Sequence, residues 1–137
     1  MCGIAGFYGS KLPTRNNINK SSKLIRHRGP DAKGVKIIKN DKLVLIHRRL
    51  SIIDIDQRSN QPMEYENTIL IFNGEIYNYI ELRKSLIASG VSFKTSSDTE
   101  VLLQMLIHKG PKCLNELNGM FAFALFDNKN SKWILAR

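Results

Sequence analysis

Cys2, directly after the initiator methionine, is the residue of this chain best suited to chemistry. If Met1 is removed, this one residue carries both a thiol and a free α-amine. A thiolate is a strong nucleophile near neutral pH, and an α-amine titrates at about pH 8, so the amine can accept the thiol proton. Cys2 is therefore a candidate catalytic nucleophile. The alternative is a small, buried hydrophobic residue that serves only for packing.

The composition is that of a soluble globular protein. The chain has 137 residues and a mass of 15.6 kDa, with 42% hydrophobic and 24% charged residues. We expect one domain whose core needs no disulfide bonds. The sequence contains neither an apolar run of membrane-spanning length nor a secretory signal pattern, so we predict a cytoplasmic protein without a membrane partner.

Metal and nucleic-acid chemistry are both disfavoured. Cys2 and Cys113 are too few for a zinc site built on cysteines, and the histidines lack ligand spacing, so no metal is predicted. Cys113, beside Leu114 and Leu117, is interpreted as packing. The net charge is +9, but the basic excess falls within residues 1–49 and contains no interleaved aromatic residues for base stacking. A solvated basic face is favoured over nucleic-acid binding.

Short strands and helices are predicted to alternate along the chain. Strands are expected at Ile4–Tyr8, Val35–Ile38, Leu43–His47, Thr68–Phe72, Met120–Phe126 and Trp133–Ala136. A first helix should end near Arg26. A second should begin at Asn78 and end at Gly90, and a third should run from Ser97 to Gly110. Asn78 and Ser97 each precede a glutamate by three residues, which predicts a capping box at both helices.

Several short strings fall into one ordered pattern. They are Cys2-Gly3-Ile4-Ala5-Gly6, Arg26-His27-Arg28-Gly29-Pro30-Asp31, Arg49-Leu50-Ser51-Ile52-Ile53-Asp54, Gln61-Pro62, Asn73-Gly74-Glu75-Ile76-Tyr77-Asn78, Ser97-Asp98-Thr99-Glu100 and Gly119-Met120-Phe121-Ala122-Phe123-Ala124. Together they closely resemble the glutaminase domain of glutamine-hydrolysing asparagine synthetases. The resemblance runs over essentially the whole chain, from Cys2 to Arg137.

The resemblance implies an α+β fold. It is the four-layer αββα sandwich of N-terminal-nucleophile hydrolases, in which two sheets pack face to face between helices. Leu135-Ala136-Arg137 matches the beginning of a family motif that continues with Asp, a glycine turn and further strands. We therefore expect the domain, residues 1–137, to be incomplete at its C-terminus and to lack its last strands. The family's synthetase domain is expected to be absent, so this chain alone should not make asparagine.

The resemblance also implies a reaction. Cys2 would attack the side-chain amide of glutamine and form a γ-glutamyl thioester, with release of ammonia and then glutamate. The Asn73 side-chain amide and the Gly74 backbone N–H would form the oxyanion hole. This hydrolysis needs no cofactor, and ATP and Mg²⁺ are implied only for the absent synthetase domain. Without the resemblance, Asn73-Gly74 would be interpreted as a turn after a strand.

Substrate-binding residues are implied in the same way. Arg49 would pair with the α-carboxylate of glutamine, while Glu75 and Asp98 would hold its ammonium group. Main-chain groups of the following segment would line the pocket, at Leu50, Ser51, Ile52 and Ile53. On residue type alone, Asp98 suits the first turn of a helix and Glu75 suits a surface turn. His47 and Arg48 are assigned no catalytic role, because side chains alternate along a strand.

Two classes of function remain open. The first is a glutaminase that supplies ammonia to a synthetase domain or chain, with glutamine as substrate; the nitrogen acceptor depends on the absent domain, and a homodimer is left open. The second is an inactive truncated remnant, or a binding or interaction module of the same ancestry. Arg28 and Asp31, on either side of Gly29-Pro30, are interpreted as structural.

Overall fold

Two antiparallel sheets lie face to face in the computed structural model, which describes residues 2–137. The first sheet has the strand order β1-β3-β2 and the second has the order β4-β5-β6-β7. The strands are β1 (Gly3–Tyr8), β2 (Ala32–Ile38), β3 (Leu43–Arg49), β4 (Met63–Tyr65), β5 (Thr68–Ile76), β6 (Gly119–Asp127) and β7 (Lys132–Ala136). Short hairpins join β2 to β3 and β6 to β7, as the turn residues between these strands predict.

Helices cover both outer faces of this pair of sheets. Helix α1 (Arg15–Leu24) lies on the first sheet, where Ile18 packs against Val44 and Ile46. Helices α2 (Tyr79–Ala88) and α3 (Asp98–Lys109) lie on the second sheet and share its largest apolar cluster. The order helix, sheet, sheet, helix is the αββα sandwich that the resemblance implies, and the predicted α+β fold is confirmed.

Strand β3 shows how the sequence directs side chains to the two faces of the first sheet. Leu43 and Leu45 pack between the sheets with Ile69, Ile71 and Phe126 of the second sheet. Their neighbours on the chain, Val44 and Ile46, pack against α1 instead. Continued alternation turns Arg49 toward the second sheet and Arg48 toward α1. Accordingly, Arg48 Nε donates to the carbonyl oxygen and hydroxyl of Ser22 at 3.0 Å each.

The two predicted capping boxes differ in outcome. At α3 only half of the box forms: Ser97 Oγ accepts from the Glu100 backbone N–H at 3.2 Å and caps the helix. The Glu100 carboxylate accepts instead from the backbone N–H groups of Lys94 and Thr95. The prediction for Asn78 is wrong, because its side chain makes no bond to the first turn of α2. Asn78 Oδ1 instead accepts from the Asn118 N–H and its Nδ2 donates to the Glu116 carbonyl, both at 2.9 Å. The amide is thus used to attach the start of β6 to the end of β5.

The remaining differences concern short or glycine-containing segments. Strand β4 was not predicted, because three residues are too few for an alternating pattern. Asn73 and Gly74 lie inside β5 rather than in a turn. Cys113 has no exposed surface, as its interpretation as packing requires, and burial raises the pKa of its thiol to about 11. Every helix within residues 2–137 is too short or too polar to cross a bilayer.

Candidate active site

The candidate site lies along the part of β5 that extends past its neighbour β4. Strand β4 pairs only with Thr68–Leu70. Farther along, the backbone N–H of Phe72 donates to Gln61 Oε1 at 2.6 Å, and the N–H of Ile76 donates to a buried Asp98 oxygen at 3.1 Å. Side chains therefore take the place of a strand on this edge.

Gly74 lies between these two bonded positions. Because N–H groups alternate in direction along an antiparallel strand, the Gly74 N–H points to the same edge as those of Phe72 and Ile76. This position also requires glycine, since a Cβ on Gly74 would collide with the Met120 carbonyl oxygen of β6. The Gly74 N–H thus faces a cavity instead of joining the ladder to β6.

This cavity has a volume of about 80 Å³ and collects most of the residues expected from the sequence. Its lining includes the predicted residues Cys2, Arg49, Leu50, Ile52, Ile53, Gly74, Glu75 and Asp98. Ser51 and Asn73 do not line it. Sequence reasoning missed further lining residues, namely Ser59, Gln61, Phe72, Ser97, Thr99 and Met120. Four of these lie in the ordered motif strings without a predicted role in the site, namely Gln61, Ser97, Thr99 and Met120. Ser59 and Phe72 lie outside those strings.

Cys2 is half-buried at one wall of the cavity and is held through its sulfur and its backbone. The Leu50 N–H donates to Cys2 Sγ at 3.4 Å, and Sγ lies 3.8 Å from the Leu50 carbonyl oxygen. Arg28 Nε donates to the Cys2 carbonyl oxygen at 3.1 Å, in agreement with the structural interpretation of Arg28. The free α-amine depends on removal of Met1, which lies outside the described range.

Asn73 lies on the opposite face of β5 from Gly74. It shares this face with Ile71, which packs against the first sheet, and Cys2 directly precedes β1 of that sheet. The Asn73 Oδ1 is buried and has no hydrogen-bond partner among residues 2–137. An unpaired buried carbonyl costs about 1–3 kcal/mol, so this oxygen contributes nothing to the stability of the fold.

Asp98 and Glu75 place two carboxylates at the cavity. Asp98 is the first residue of α3 and is 6% exposed, whereas Glu75 is exposed. Burial raises the pKa of Asp98 above its usual range, and the nearby charge of Glu75 raises it further. A cation placed between these carboxylates would remove this repulsion, so the pair forms a suitable site for an ammonium group.

Arg49 is 5% exposed and holds the loop of residues 50–60, here called the Arg49 loop. Its Nη1 donates to the Asp56 carbonyl and to Asn60 Oδ1, both at 2.9 Å. Its Nη2 donates to the Ile53 carbonyl at 3.2 Å and also to the Asp54 carbonyl. Both terminal nitrogens are therefore engaged by the loop in this geometry. The two-pronged pair with a substrate carboxylate stays a prediction.

The Arg49 loop is also bonded to the segments on either side of it. Asp54 Oδ2 accepts from the Ser96 N–H at 2.6 Å, and this bond is the main reason why the pKa of Asp54 is lowered. Asp31 Oδ2 accepts from the Ser51 N–H at 2.8 Å, which agrees with a structural role for Asp31. The loop is thus fixed between the first sheet and the segment that leads into α3.

His47 lies behind the cavity and does not line it. Its Nε2 is 3.2 Å from the Phe72 carbonyl oxygen, and it is 1% exposed. Burial lowers the pKa of His47 to about 4, and the positive charge of Arg49 acts in the same direction. The imidazole is therefore neutral at neutral pH, with Nε2–H donating to Phe72. Within residues 2–137, no cluster of three or more His, Cys, Asp or Glu side chains could hold a metal ion.

Comparisons with known proteins agree with the resemblance seen in the motifs. Asparagine synthetase B [glutamine-hydrolyzing] of Escherichia coli is 39% identical over 141 residues, an alignment covering 100% of this chain and 25% of that protein. Asparagine synthetase [glutamine-hydrolyzing] 1 of Bacillus subtilis is 44% identical, with 95% and 21% covered. The chain thus spans a quarter or less of the length of these relatives.

A solved structure and a family model complete the comparison. The glutamine phosphoribosylpyrophosphate amidotransferase of B. subtilis superposes with a TM-score of 0.76 at 23% identity, over 97% of this chain and 36% of that one, and so shares its fold. The model of the glutamine amidotransferase domain matches residues 1–137. The chain therefore belongs to the glutamine amidotransferase domain family.

Proposed function

We propose that this chain hydrolyses the side-chain amide of glutamine through a thioester on Cys2. The observation that carries the proposal is that one cavity is lined by a thiol, an inward-facing backbone N–H at Gly74, two carboxylates and an arginine. A free amino acid with a side-chain amide requires these groups: a nucleophile for the amide carbon, a donor for its oxygen and charges for its two α-substituents.

The reaction then proceeds in two steps. The Cys2 thiolate attacks the amide carbon, and the electron pair of the C=O bond moves to oxygen. When the adduct collapses, the C–N bond breaks and the nitrogen leaves as ammonia with a proton from the α-amine of Cys2. Water next attacks the thioester carbon and gives its proton to the amine, which releases glutamate and the thiolate. This role of the amine requires that Met1 be removed.

The negative charge that forms on the amide oxygen is stabilised by the Gly74 N–H and the Asn73 side-chain amide. Gly74 has a fixed direction because the N–H groups at Phe72 and Ile76 are both bonded. Donors that are already oriented need no rearrangement at the transition state, which is why such groups are worth about a hundredfold or more in rate. Asn73 would contribute an amide that the fold leaves without a partner for its oxygen.

Recognition of glutamine is assigned to both ends of the cavity. Asp98 and Glu75 hold the ammonium. Burial raises the pKa of Asp98 and the charge of Glu75 adds to this, and the ammonium charge offsets both by stabilising the two carboxylates. Arg49 holds the carboxylate by exchanging some of its bonds to loop carbonyls, since a charged acceptor binds guanidinium more strongly than a neutral one. We assign the adjacent wall to Leu50, Ile52 and Ile53, which line the cavity. Ser51 belongs to the same segment, but its N–H donates to Asp31.

The ammonia has a destination in this proposal. We infer from the names of the relatives that it passes to a synthetase domain or chain that makes asparagine with ATP and Mg²⁺, while the hydrolysis itself uses no cofactor. The site would then act in the cytoplasm, with glutamine as its substrate and without nucleic-acid or membrane partners.

Labelling by a glutamine analogue tests the proposal. The purified chain is treated with diazo-oxo-norleucine, which alkylates a nucleophile in a glutamine pocket, and is then studied by intact-mass and peptide mass spectrometry. We expect loss of Met1 and one adduct, on Cys2. Ammonia release from glutamine is measured in parallel. Cys2→Ala should abolish both labelling and release, because Cys2 carries the only thiol among the described residues that line the cavity.

Cys113→Ala is the matched control. Cys113 does not line the cavity and is buried in the apolar cluster between the second sheet and its helices. Burial raises the pKa of its thiol to about 11, so labelling and ammonia release should persist in this variant. Equal losses in the two variants would contradict the assignment of Cys2. A folded chain that is neither labelled nor active would instead fit the inactive remnant or interaction module.

A further inference from the structure

We propose that Gln61 is a positioning residue that sets the direction of the oxyanion donor Gly74; this inference rests on the proposed glutaminase function. Gln61 is 5% exposed and lines the cavity. It makes no contact assigned to the reaction above. Its amide instead joins two elements that form the cavity, strand β5 and the first turn of helix α3.

The orientation of the Gln61 amide follows from its partners. The Phe72 backbone N–H can only donate, so the atom 2.6 Å from it is Oε1. Nε2 then faces Thr99 Oγ1 at 3.2 Å, where the hydroxyl can accept. Both ends of the amide are used, and neither atom could exchange with the other without loss of a bond. This geometry defines a single state for the side chain.

The bond to Phe72 replaces a missing strand. Strand β4 has already ended at this level of β5, so without Gln61 the Phe72 N–H would be buried without a partner. His47 Nε2 meets the carbonyl oxygen of the same residue at 3.2 Å. The Phe72 backbone is therefore fixed on both its polar groups by side chains, two residues before Gly74. Asp98 fixes Ile76 two residues after Gly74.

The backbone of Gln61 is itself closely supported. Gly34 of β2 lies so near the Gln61 carbonyl oxygen that any Cβ at position 34 would collide with it. The side chain thus extends from a fixed backbone position next to the first sheet and reaches into the second sheet. The position of the Phe72 N–H in β5 therefore depends on how far the second sheet lies from the first.

This role predicts a particular kinetic effect. Glutamine binding in its ground state depends on the charged residues at its α-carbon, whereas the Gly74 N–H acts on charge that develops only at the transition state. Loss of the Gln61 bonds should therefore lower kcat and leave KM almost unchanged. A residue needed only for stability would lower the folded fraction, without changing either constant per folded molecule.

The experiment compares Gln61→Met with Gln104→Met in the full 137-residue chain. Methionine has nearly the length of glutamine but lacks its hydrogen bonds. Gln104 of α3 is also fully buried, and its amide has no partner among the described residues, so its replacement should not disturb catalysis. For Gln61→Met we expect kcat to fall by about 10- to 100-fold and KM to change by less than about threefold.

A second readout isolates the oxyanion site. The γ-aldehyde analogue of glutamate adds the Cys2 thiol across its C=O bond, forming an S–C bond and placing the aldehyde oxygen where the oxyanion forms. Glutamate makes the same α-contacts without this adduct. Gln61→Met should weaken inhibition by the aldehyde by about tenfold or more, while inhibition by glutamate stays nearly constant. Thr99→Val, which removes only the far partner, should show the same selectivity with a smaller loss.

Each outcome separates the two claims. Unchanged kcat in Gln61→Met, or equal weakening of aldehyde and glutamate binding, overturns the positioning role while the glutaminase assignment stands. If Gln61→Met does not fold, Thr99→Val decides: parallel losses for both inhibitors, or none, overturn the role. If the folded wild-type chain neither hydrolyses glutamine nor binds the aldehyde, the proposed function fails, and this inference with it.

Discussion

The two halves of strand β5 differ in what occupies the edge that faces away from β6. In the first half, Thr68–Leu70 pair with β4 in a regular antiparallel ladder. In the second half, the side chains of Gln61, His47 and Asp98 bond to the backbone instead. A strand partner would use every second N–H, whereas side chains can leave one N–H unused. The site is thus formed where the regular ladder ends.

The side chains of the two halves also differ, being apolar and buried in the first half and polar or absent at residues 73–75 of the second. Leu70 and Ile71 are 0% and 2% exposed and pack into apolar clusters on the two faces of the second sheet. Asn73, Gly74 and Glu75 contribute an unpaired amide oxygen, a strand position without a side chain and an exposed carboxylate. The first half is therefore suited to stability and the second to ligand binding, on one continuous strand.

The largest effect that distinguishes the halves is expected at Asn73. Asn73→Ala should lower kcat for glutamine hydrolysis by about a hundredfold, because the proposed role of its side-chain amide as an oxyanion donor would be lost. The thermal midpoint should stay constant or rise, since the variant also removes a buried oxygen without a partner. Steady-state kinetics and thermal unfolding of the same preparation test this. A lower midpoint with normal kcat would place Asn73 with the structural half of the strand.

Leu70→Ala should give the opposite pattern: it should lower the unfolding free energy and leave the activity per folded molecule unchanged. Truncating a fully buried leucine costs about 2–5 kcal/mol of unfolding free energy, through lost burial and a residual cavity. Urea unfolding measures this loss. Kinetic constants per folded molecule should be those of the wild type, because Leu70 does not line the active-site cavity.

The control for Leu70 lies in the same sheet. Leu135 of β7 is 71% exposed, so Leu135→Ala should change the unfolding free energy by less than about 0.5 kcal/mol. If Leu70→Ala raised KM or lowered kcat in the folded protein, the division of β5 into a structural and a functional half would be wrong.

The sequence predicted most of the strands and many residues of the site, but not the long-range pairing that divides β5 into two halves. Apolar runs predicted β5 and β6, and the family motifs indicated that Cys2, Gly74 and Asp98 would meet in one pocket. Local patterns could not show that Asn73-Gly74 continues a strand, because the same dipeptide is common in turns. That choice depends on β6, which pairs with β5 from Thr68 to Ile76 and is distant in sequence.

The bonds that fix the site were also beyond local patterns. Gln61 and Phe72 are 11 residues apart, and His47 is 25 residues from Phe72, so neither contact follows from periodicity. Arg49 shows the same limit in another form. Its type and motif indicated a carboxylate partner, whereas its bonds to the Arg49 loop depend on how that loop folds back. Long-range pairing of polar groups decides such details.

The smallest effect concerns acid stability and again distinguishes the halves of β5. The folded-state pKa of His47 is about 4, below its ordinary value of 6.5, so the fold favours the neutral imidazole. Its contribution to stability is therefore complete above pH 6.5 and is lost as the pH falls toward 4. Linkage predicts a loss of roughly 2 kcal/mol between pH 8 and pH 5.

His47→Gln keeps a donor for the Phe72 carbonyl but cannot titrate, so its unfolding free energy should vary less between pH 8 and pH 5 than that of the wild type. His108→Gln, at an exposed position of α3, should behave like the wild type. Urea titrations at both pH values measure the difference.

Because protonation of His47 would place a charge beside Arg49 and against the Phe72 backbone, hydrogen exchange at pH 5 should increase in residues 72–76 before it increases in residues 68–70. Equal pH dependence in wild type and His47→Gln would mean that the buried imidazole carries no such penalty, and that the second half of β5 is held as firmly in acid as the first.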